Sequence, residues 1–311
     1  MEGPPPNRPS VSVIICAHSL NRWELLQSAV SSAIAEEPDD LLVVIDHNQV
    51  LFDKAEQTLR STSGSTQVRV IENANAPGLS GARNTGIAST DATIIAFIDD
   101  DAEVLPGWIG HLVAPFSDQS VVAVGGRAMP ARPERFPAWW PHEYNWVVGC
   151  SWTGLPDALT EVRNVIGCCM AFRRDALLQT DGFDPALGRV GSNAAGCEET
   201  ELCIRLRKDG ARVLYEPRAT VLHHIDERRL TARYFMRRCW AEGRSKARIS
   251  RTLGGSSLGP ERRFAVEALR RSLSTGARAT LSMEWSGIAR AAALAGGLCT
   301  TGLGFAWPVR E

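Results

Sequence analysis

AFIDDDAEV, residues 96–104, is an apolar run that breaks into three consecutive carboxylates, Asp99, Asp100 and Asp101. A buried strand that ends this way carries its acids to the carboxyl edge of an open α/β sheet, where such sheets bind ligands. Three like charges this close repel one another unless a cation is shared among them. A hard divalent cation bridging to phosphate oxygens meets that need. A solvated acidic turn is the other reading of the same residues, and the flanking sequence decides between them.

Upstream, VSVIIC (11–16), LLVVID (41–46) and QVRVIEN (67–73) have the β-branched density of strands buried on both faces. Trp23, Leu26, Ala29, Val30 and Ile34 recur at helical spacing, residues 52–60 read as a second helix, and another helical segment precedes TIIAFIDD (93–100). Strand alternating with helix gives a parallel sheet with right-handed crossovers, so the polar ends of three strands, Asp46 among them, converge on one edge. Beyond about residue 120 the pattern changes. VVAVGGRAM (121–129) reads as a strand, and the Pro- and Trp-rich stretch 131–156 has no regular period, the mark of a functional loop or lid. Residues 164–177 read as a strand running into a helix. Residues 197–210 read as a helix opened by acids and closed by Gly210, and 212–217 and 219–225 as strands.

The chain has 311 residues, 44% of them hydrophobic, enough for one large α/β domain with appendages. A formal net charge of −1 gives no reason to expect a nucleic-acid partner. The distribution is uneven: between Arg228 and Arg251 nine Lys or Arg face one Glu, and Arg262, Arg263, Arg270 and Arg271 follow. The eight cysteines form no C-x-x-C pair, which argues against a zinc module and for buried thiols in a reducing compartment. MEGPPPNRPS lacks a secretory pattern, so the expectation is a cytoplasmic protein. The run Ala291 to Trp307, with four glycines and two threonines, is expected to fall short of the ~20 apolar residues of a spanning helix.

Three further motifs each have two readings. GLSGARNTGI (78–87) is neither a Walker A loop nor a dinucleotide fingerprint. Its Gly78, Gly81 and Gly86 suit a packed helix start, and Arg83 suits a base or phosphate contact. Glu198, Glu199 and Glu201 either match the dipole of a first helical turn or supply an acid that takes a proton from an acceptor hydroxyl. His223 and His224 end a strand, so they point to opposite faces and at most one is a metal ligand.

The order of elements resembles the inverting family 2 glycosyltransferases over roughly residues 10–245. The resemblance rests on VSVIICAHSLNR, VVIDHN, GLSGARNTGI, FIDDDAEVLPGWI, NVIGCCMAFRRDAL, the GFDPALGRVG segment and CEETELCIRL. It implies a GT-A fold: α/β and Rossmann-like, with a mostly parallel central sheet flanked by helices and a helical C-terminal extension. It divides the chain into a leader (1–10), a nucleotide-binding half (11–120), an acceptor half (121–225) and a basic helical extension (226–311).

The resemblance also implies roles. Asp99 and Asp101 hold Mg²⁺ or Mn²⁺, with His223 and His224 as further candidate ligands. Cys16, Ala17, His18, Asp46, Gly81, Arg83, Asn84, Asp99 and Asp100 bind a nucleotide diphosphate sugar. Glu199, in the pair with Glu198, is the general base. The chain departs from the family where Glu199 replaces the usual Asp and where Ala17-His18-Ser19 replaces Thr-Tyr-Asn. WWPHEYNWVVGCSWTGLP resembles a segment of glucuronosyl- and glucosyltransferases acting on polyprenyl-linked sugars, so the hydroxyl acceptor is expected to be lipid-linked or a small-molecule glycoside. Two other classes compete: a nucleotide-sugar-binding protein without turnover, and an Asp-dependent phosphohydrolase, whose D-x-D-x-T pattern fails at Glu103. The basic C-terminal helices either touch an anionic membrane at its inner face or cap the core.

Overall fold

The computed structural model describes residues 8–60, 66–189, 196–207, 210–253 and 284–307, together with Val266 and Arg270. Strands β1 (Val11–Ala17), β2 (Asp40–Ile45), β3 (Val68–Glu72) and β4 (Ile94–Asp99) form the parallel half of a nine-stranded sheet. Helices α1 (Trp23–Ile34), α2 (Gln49–Leu59) and α3 (Leu79–Ala88) connect them. Val11, Val13 and Ile15 of β1 pack with Leu26 and Val30 of α1, while Ile14 faces the other side with Ala82 and Ile87 of α3. Both faces are therefore covered, which is why β1, β2 and β4 read as predominantly apolar runs. Cys16 pairs with Asp99 and Ala17 with Ile45, so the strand ends are level and their polar residues meet on one edge.

The second half of the sheet is mixed. It contains β5 (Ala102–Val104), β6 (Val121–Pro130), β7 (Thr160–Glu161), β8 (Cys169–Arg173) and β9 (Arg212–His223). The strand order is β3-β2-β1-β4-β8-β6-β9-β5, with β7 paired to β9, and β8 runs antiparallel to both β4 and β6. Helix α4 (Trp108–Val113) joins the α1 layer, and α5 (Arg174–Gln179) and α6 (Glu198–Leu206) join the α3 layer. The two strands expected over 212–225 are one strand. Its pairing with β6 skips from Glu216 to Thr220, and Pro217, which cannot donate to the ladder, lies in the skipped stretch.

The irregular stretch 131–156 is a packed element. Trp140, Tyr144, Val147 and Val148 are buried with Phe235 and Cys239 of α7 (Ala232–Leu253) and Leu294 of α8 (Trp285–Ala306). Contacts along α7 and α8 advance in the same direction, so the two helices run parallel: a Cβ at Gly296 would lie 2.9 Å from Met236, and one at Gly304 2.3 Å from the Trp240 carbonyl. Glycine at these points lets the backbones approach. Helix α8 begins six residues before the apolar run considered above, which corrects that expectation: its 22 residues are long and apolar enough to cross a membrane by length and composition. One face packs on α7, while Trp285, Leu303, Phe305 and Trp307 are exposed. Most of the Gly-rich run 188–197 and of the amphipathic segment 264–273 lies outside the described residues.

Candidate functional site

The carboxyl ends of β1, β2 and β4 open on a cavity of about 680 Å³ lined by Cys16, Ala17, His18, Asp46, Asp99, Asp100 and Asp101. Asp46 is fixed there. Its carboxylate accepts from the Gly78 backbone N–H (2.9 Å) and Asn73 Nδ2 (2.7 Å) and meets His47 Nδ1 at 2.9 Å. Burial would raise its pKa, but these bonds hold it below the usual carboxylate range. Gly81 and Asn84 support the cleft from behind and do not line it. A Cβ on Gly81 would lie 2.1 Å from the Ala76 carbonyl, and both ends of the Asn84 amide are bonded to the backbone of Phe183.

The three consecutive acids have different surroundings. Asp101 is buried, 3.0 Å from His223 Nε2, 3.0 Å from Arg22 Nη1 and 3.8 Å from Arg229. Burial alone would raise its pKa, but these cations outweigh it and hold the carboxyl far below the usual range. Burial would likewise depress His223, and Asp101 instead carries it up to about 10. Asp100 turns to Arg22 at 2.6 Å and leaves Oδ2 buried without a partner among the described residues. Burial and then the charge of Asp101 push Asp100 up to about 7, against the pull of Arg22. The acids are thus partly balanced by arginines that sequence reading assigned to a surface face or passed over.

Ligand atoms of Asp99, Asp101 and His223 all lie within 4.8 Å of one another, a carboxylate and imidazole set that fits Mn²⁺ and, through its oxygens, Mg²⁺. His224 points elsewhere, as strand alternation requires, and its Nε2 lies 2.6 Å from Glu103.

Arg83 is 2% exposed and sits behind the cleft. It donates to Glu198 at 2.9 Å, to the Gly167 carbonyl at 3.1 Å and to Asp99 at 3.4 Å. The expected contact with a nucleotide base is therefore not its position: it lines a second cavity, of about 830 Å³, and does not line the first. Glu198 and Glu199 of α6 both line the second cavity: Glu198 pairs with Arg83 through Oε1 and leaves Oε2 buried without a partner among the described residues, whereas Glu199 carries a carboxyl pushed up to about 8 by burial and then by Glu198. Around it stand Tyr144, Trp146, Trp152 and Tyr215, and Leu298, Thr301 and Phe305 of α8 close the far side. Leu79, Asp99 and Arg189 line both cavities. Sequence reading missed Arg22, Arg189, Arg229 and the α8 wall. Only the NR of AHSLNR and the count of arginines after Asp226 could have pointed to two of these.

Comparison with known proteins agrees with this geometry. The family model described as "Glycosyl transferase family 2" matches residues 12–180. The glucosyl-dolichyl phosphate glucuronosyltransferase of Haloferax volcanii is 34% identical over 241 residues, 76% of this chain and 76% of that protein. The pre-mycofactocin glycosyltransferase of Mycobacterium tuberculosis is 28% identical over 160 residues, half of this chain and 32% of that protein. Among solved structures, a mannosyltransferase from Pyrobaculum calidifontis in complex with GDP-Man and Mn²⁺ superposes with a TM-score of 0.65 at 16% identity. The match covers 96% of this chain and 88% of that one. GalNAc-T7 with UDP, GalNAc and Mn²⁺ gives a TM-score of 0.54 at 20% identity over 70% of this chain and 43% of that one. The match over more than half the chain, carried on a GT-A sheet whose fourth strand ends in the expected acids, makes this protein a member of glycosyltransferase family 2.

Proposed function

We propose that the protein transfers glucuronate from a nucleoside diphosphate donor to a hydroxyl of a lipid-linked sugar, with inversion at the anomeric carbon. The observation that carries this reading is the meeting of two cavities at Asp99, with a candidate metal set that spans their border, Asp101 on the first side and His223 on the second, and with Glu199 in the second cavity. A sugar held across that border has its diphosphate in the first cavity and its anomeric carbon toward the second. Glu199 takes the proton of the acceptor oxygen as that oxygen bonds to the anomeric carbon and the bond to the diphosphate breaks. Asp99, Asp101 and His223 would hold a divalent cation, which would supply charge neutralisation for the departing diphosphate.

Support for the donor sugar and the lipid-linked acceptor comes from the Haloferax relative, whose name specifies both for that protein. Aromatic Trp146, Trp152 and Tyr215 offer flat apolar faces to such an acceptor, and α8 extends the apolar lining. In this reading residues 11–120 are the donor half, 121–225 the acceptor half, and 226–311 a basic extension that brings the site to the cytoplasmic face of a membrane. Incubation with a panel of nucleotide sugars and a polyprenyl-phosphate glucose, with nucleoside diphosphate release and product anomer read by mass spectrometry and NMR, tests it. Retention of configuration removes the mechanism, and donor binding without release leaves a sugar-nucleotide-binding protein.

A further inference from the structure

Arg189 occupies an unusual place: it is the only cationic residue, among those described, that lines both cavities. The backbone fixes it there, since its carbonyl accepts from the Leu79 N–H at the start of α3 at 3.0 Å. Around its guanidinium are Tyr234, Asp99, Glu198 and Asp101. Burial would lower its pKa, and these groups outweigh that, so the side chain stays charged. Yet each acid has another partner. Glu198 is paired with Arg83, Asp101 with His223 and Arg22, and Asp99 with Arg83, and Asp99 and Asp101 belong to the candidate metal set. Three other cations of the second cavity have carboxylate partners: Arg83 pairs with Glu198, and Arg238 and Lys246 both face Glu242 on α7. Arg189 is left as a half-buried cation with no ion pair of its own among the described residues, and a partly desolvated charge gains from a partner.

We propose that Arg189 is the specificity-determining residue for the donor sugar and pairs with the carboxylate of a uronic acid. This rests on the donor reading above. A sugar bridging the two cavities passes the one residue that borders both and still has its charge to share. A guanidinium fork matches a carboxylate in two parallel hydrogen bonds, which a neutral hydroxymethyl group cannot reproduce. Pairing also completes the charge balance at a point where Asp99 and Asp101 are otherwise engaged.

The test is equilibrium binding of UDP, UDP-glucose and UDP-glucuronate in the presence of Mn²⁺, followed by tryptophan fluorescence, for the wild type, Arg189→Gln and Arg189→Lys. The wild type is expected to hold UDP-glucuronate more tightly than UDP-glucose. Arg189→Gln should weaken UDP-glucuronate by about tenfold to a hundredfold, while UDP and UDP-glucose change by less than about threefold. Arg189→Lys, which keeps the charge and loses the fork, should fall between. A uniform loss over all three ligands overturns the proposal and makes Arg189 a diphosphate contact, and unchanged binding in Arg189→Gln overturns it outright. A wild type that prefers UDP-glucose overturns the donor reading and this inference with it. Preference for the uronate that survives Arg189→Gln overturns only the assignment to Arg189.

Discussion

Glu198 and Glu199 are adjacent and chemically identical, so substituting each by Gln separates their roles. Glu198→Gln removes the charged partner of an Arg83 side chain that is 2% exposed, leaving Asp99 at 3.4 Å as its remaining carboxylate. Breaking a buried pair from one side costs about 3–5 kcal/mol, and the surviving contact puts this case near the lower end. At ~2–4 °C per kcal/mol, the melting temperature should drop by about 6–12 °C. Glu199→Gln keeps the shape of a carboxyl whose pKa lies near 8, so at pH 7 it replaces a largely protonated group by a neutral one. Its melting temperature should stay within about 2 °C of the wild type, while transfer falls about 10²–10⁴-fold, the share general acid–base catalysis supplies. Calorimetry, donor titration and nucleoside diphosphate release read the three quantities. A stable but inactive Glu198→Gln beside an active Glu199→Gln would refute the assignment and shift the base by one residue.

Four further outcomes are expected. Excess chelator should stop turnover and added Mn²⁺ should restore it, whereas full release of nucleoside diphosphate in chelator would remove Asp99, Asp101 and His223 as a metal set. Because a base must be ionised, kcat/KM should rise with pH through about 8 and the Glu199→Gln variant should lose that rise; a flat wild-type profile contradicts the assignment. The same group binds its proton more tightly folded than unfolded, so its contribution to stability is greatest below its ordinary value and fades as pH approaches 8, which pH-dependent calorimetry checks. Finally, the protein should sediment with anionic liposomes at low salt and release at high salt, and truncation after Arg251 should abolish this. Absence of binding at low salt leaves α7 and α8 as a cap on the core.

The parallel half of the fold was legible because burial on both faces leaves its mark in three of its strands: Leu41 to Ile45 and Ile94 to Ile98 are apolar without interruption, and Ser12 alone breaks Val11 to Ile15. Asp99 and Asp101 were legible for the same reason, as the first polar residues after such a run. The second half was harder to read. Strand β9 pairs across a gap of three residues at Pro217, and β8 owes its place to antiparallel pairing with strands distant in sequence, which no local pattern encodes. Arg83 stands in a motif associated with ligand contact, yet its partner Glu198 lies 115 residues away, and only the fold reveals that the pair is internal. Arg22 and Arg229 look like ordinary surface arginines until β4 and β9 bring Asp101 between them.

The parallel arrangement of α7 and α8 has a consequence for how acceptor choice can change. Two neighbouring helices that point the same way are here far apart in sequence, α7 ending at Leu253 and α8 beginning at Trp285. The far wall of the cavity beside Glu199 is built from Leu298, Thr301 and Phe305, about a hundred residues downstream in sequence, while no residue of α8 lines the cavity at Asp99, Asp100 and Asp101. Exchange of this single terminal helix between relatives would reshape one substrate's berth and leave the other's untouched, so the two specificities are free to diverge independently.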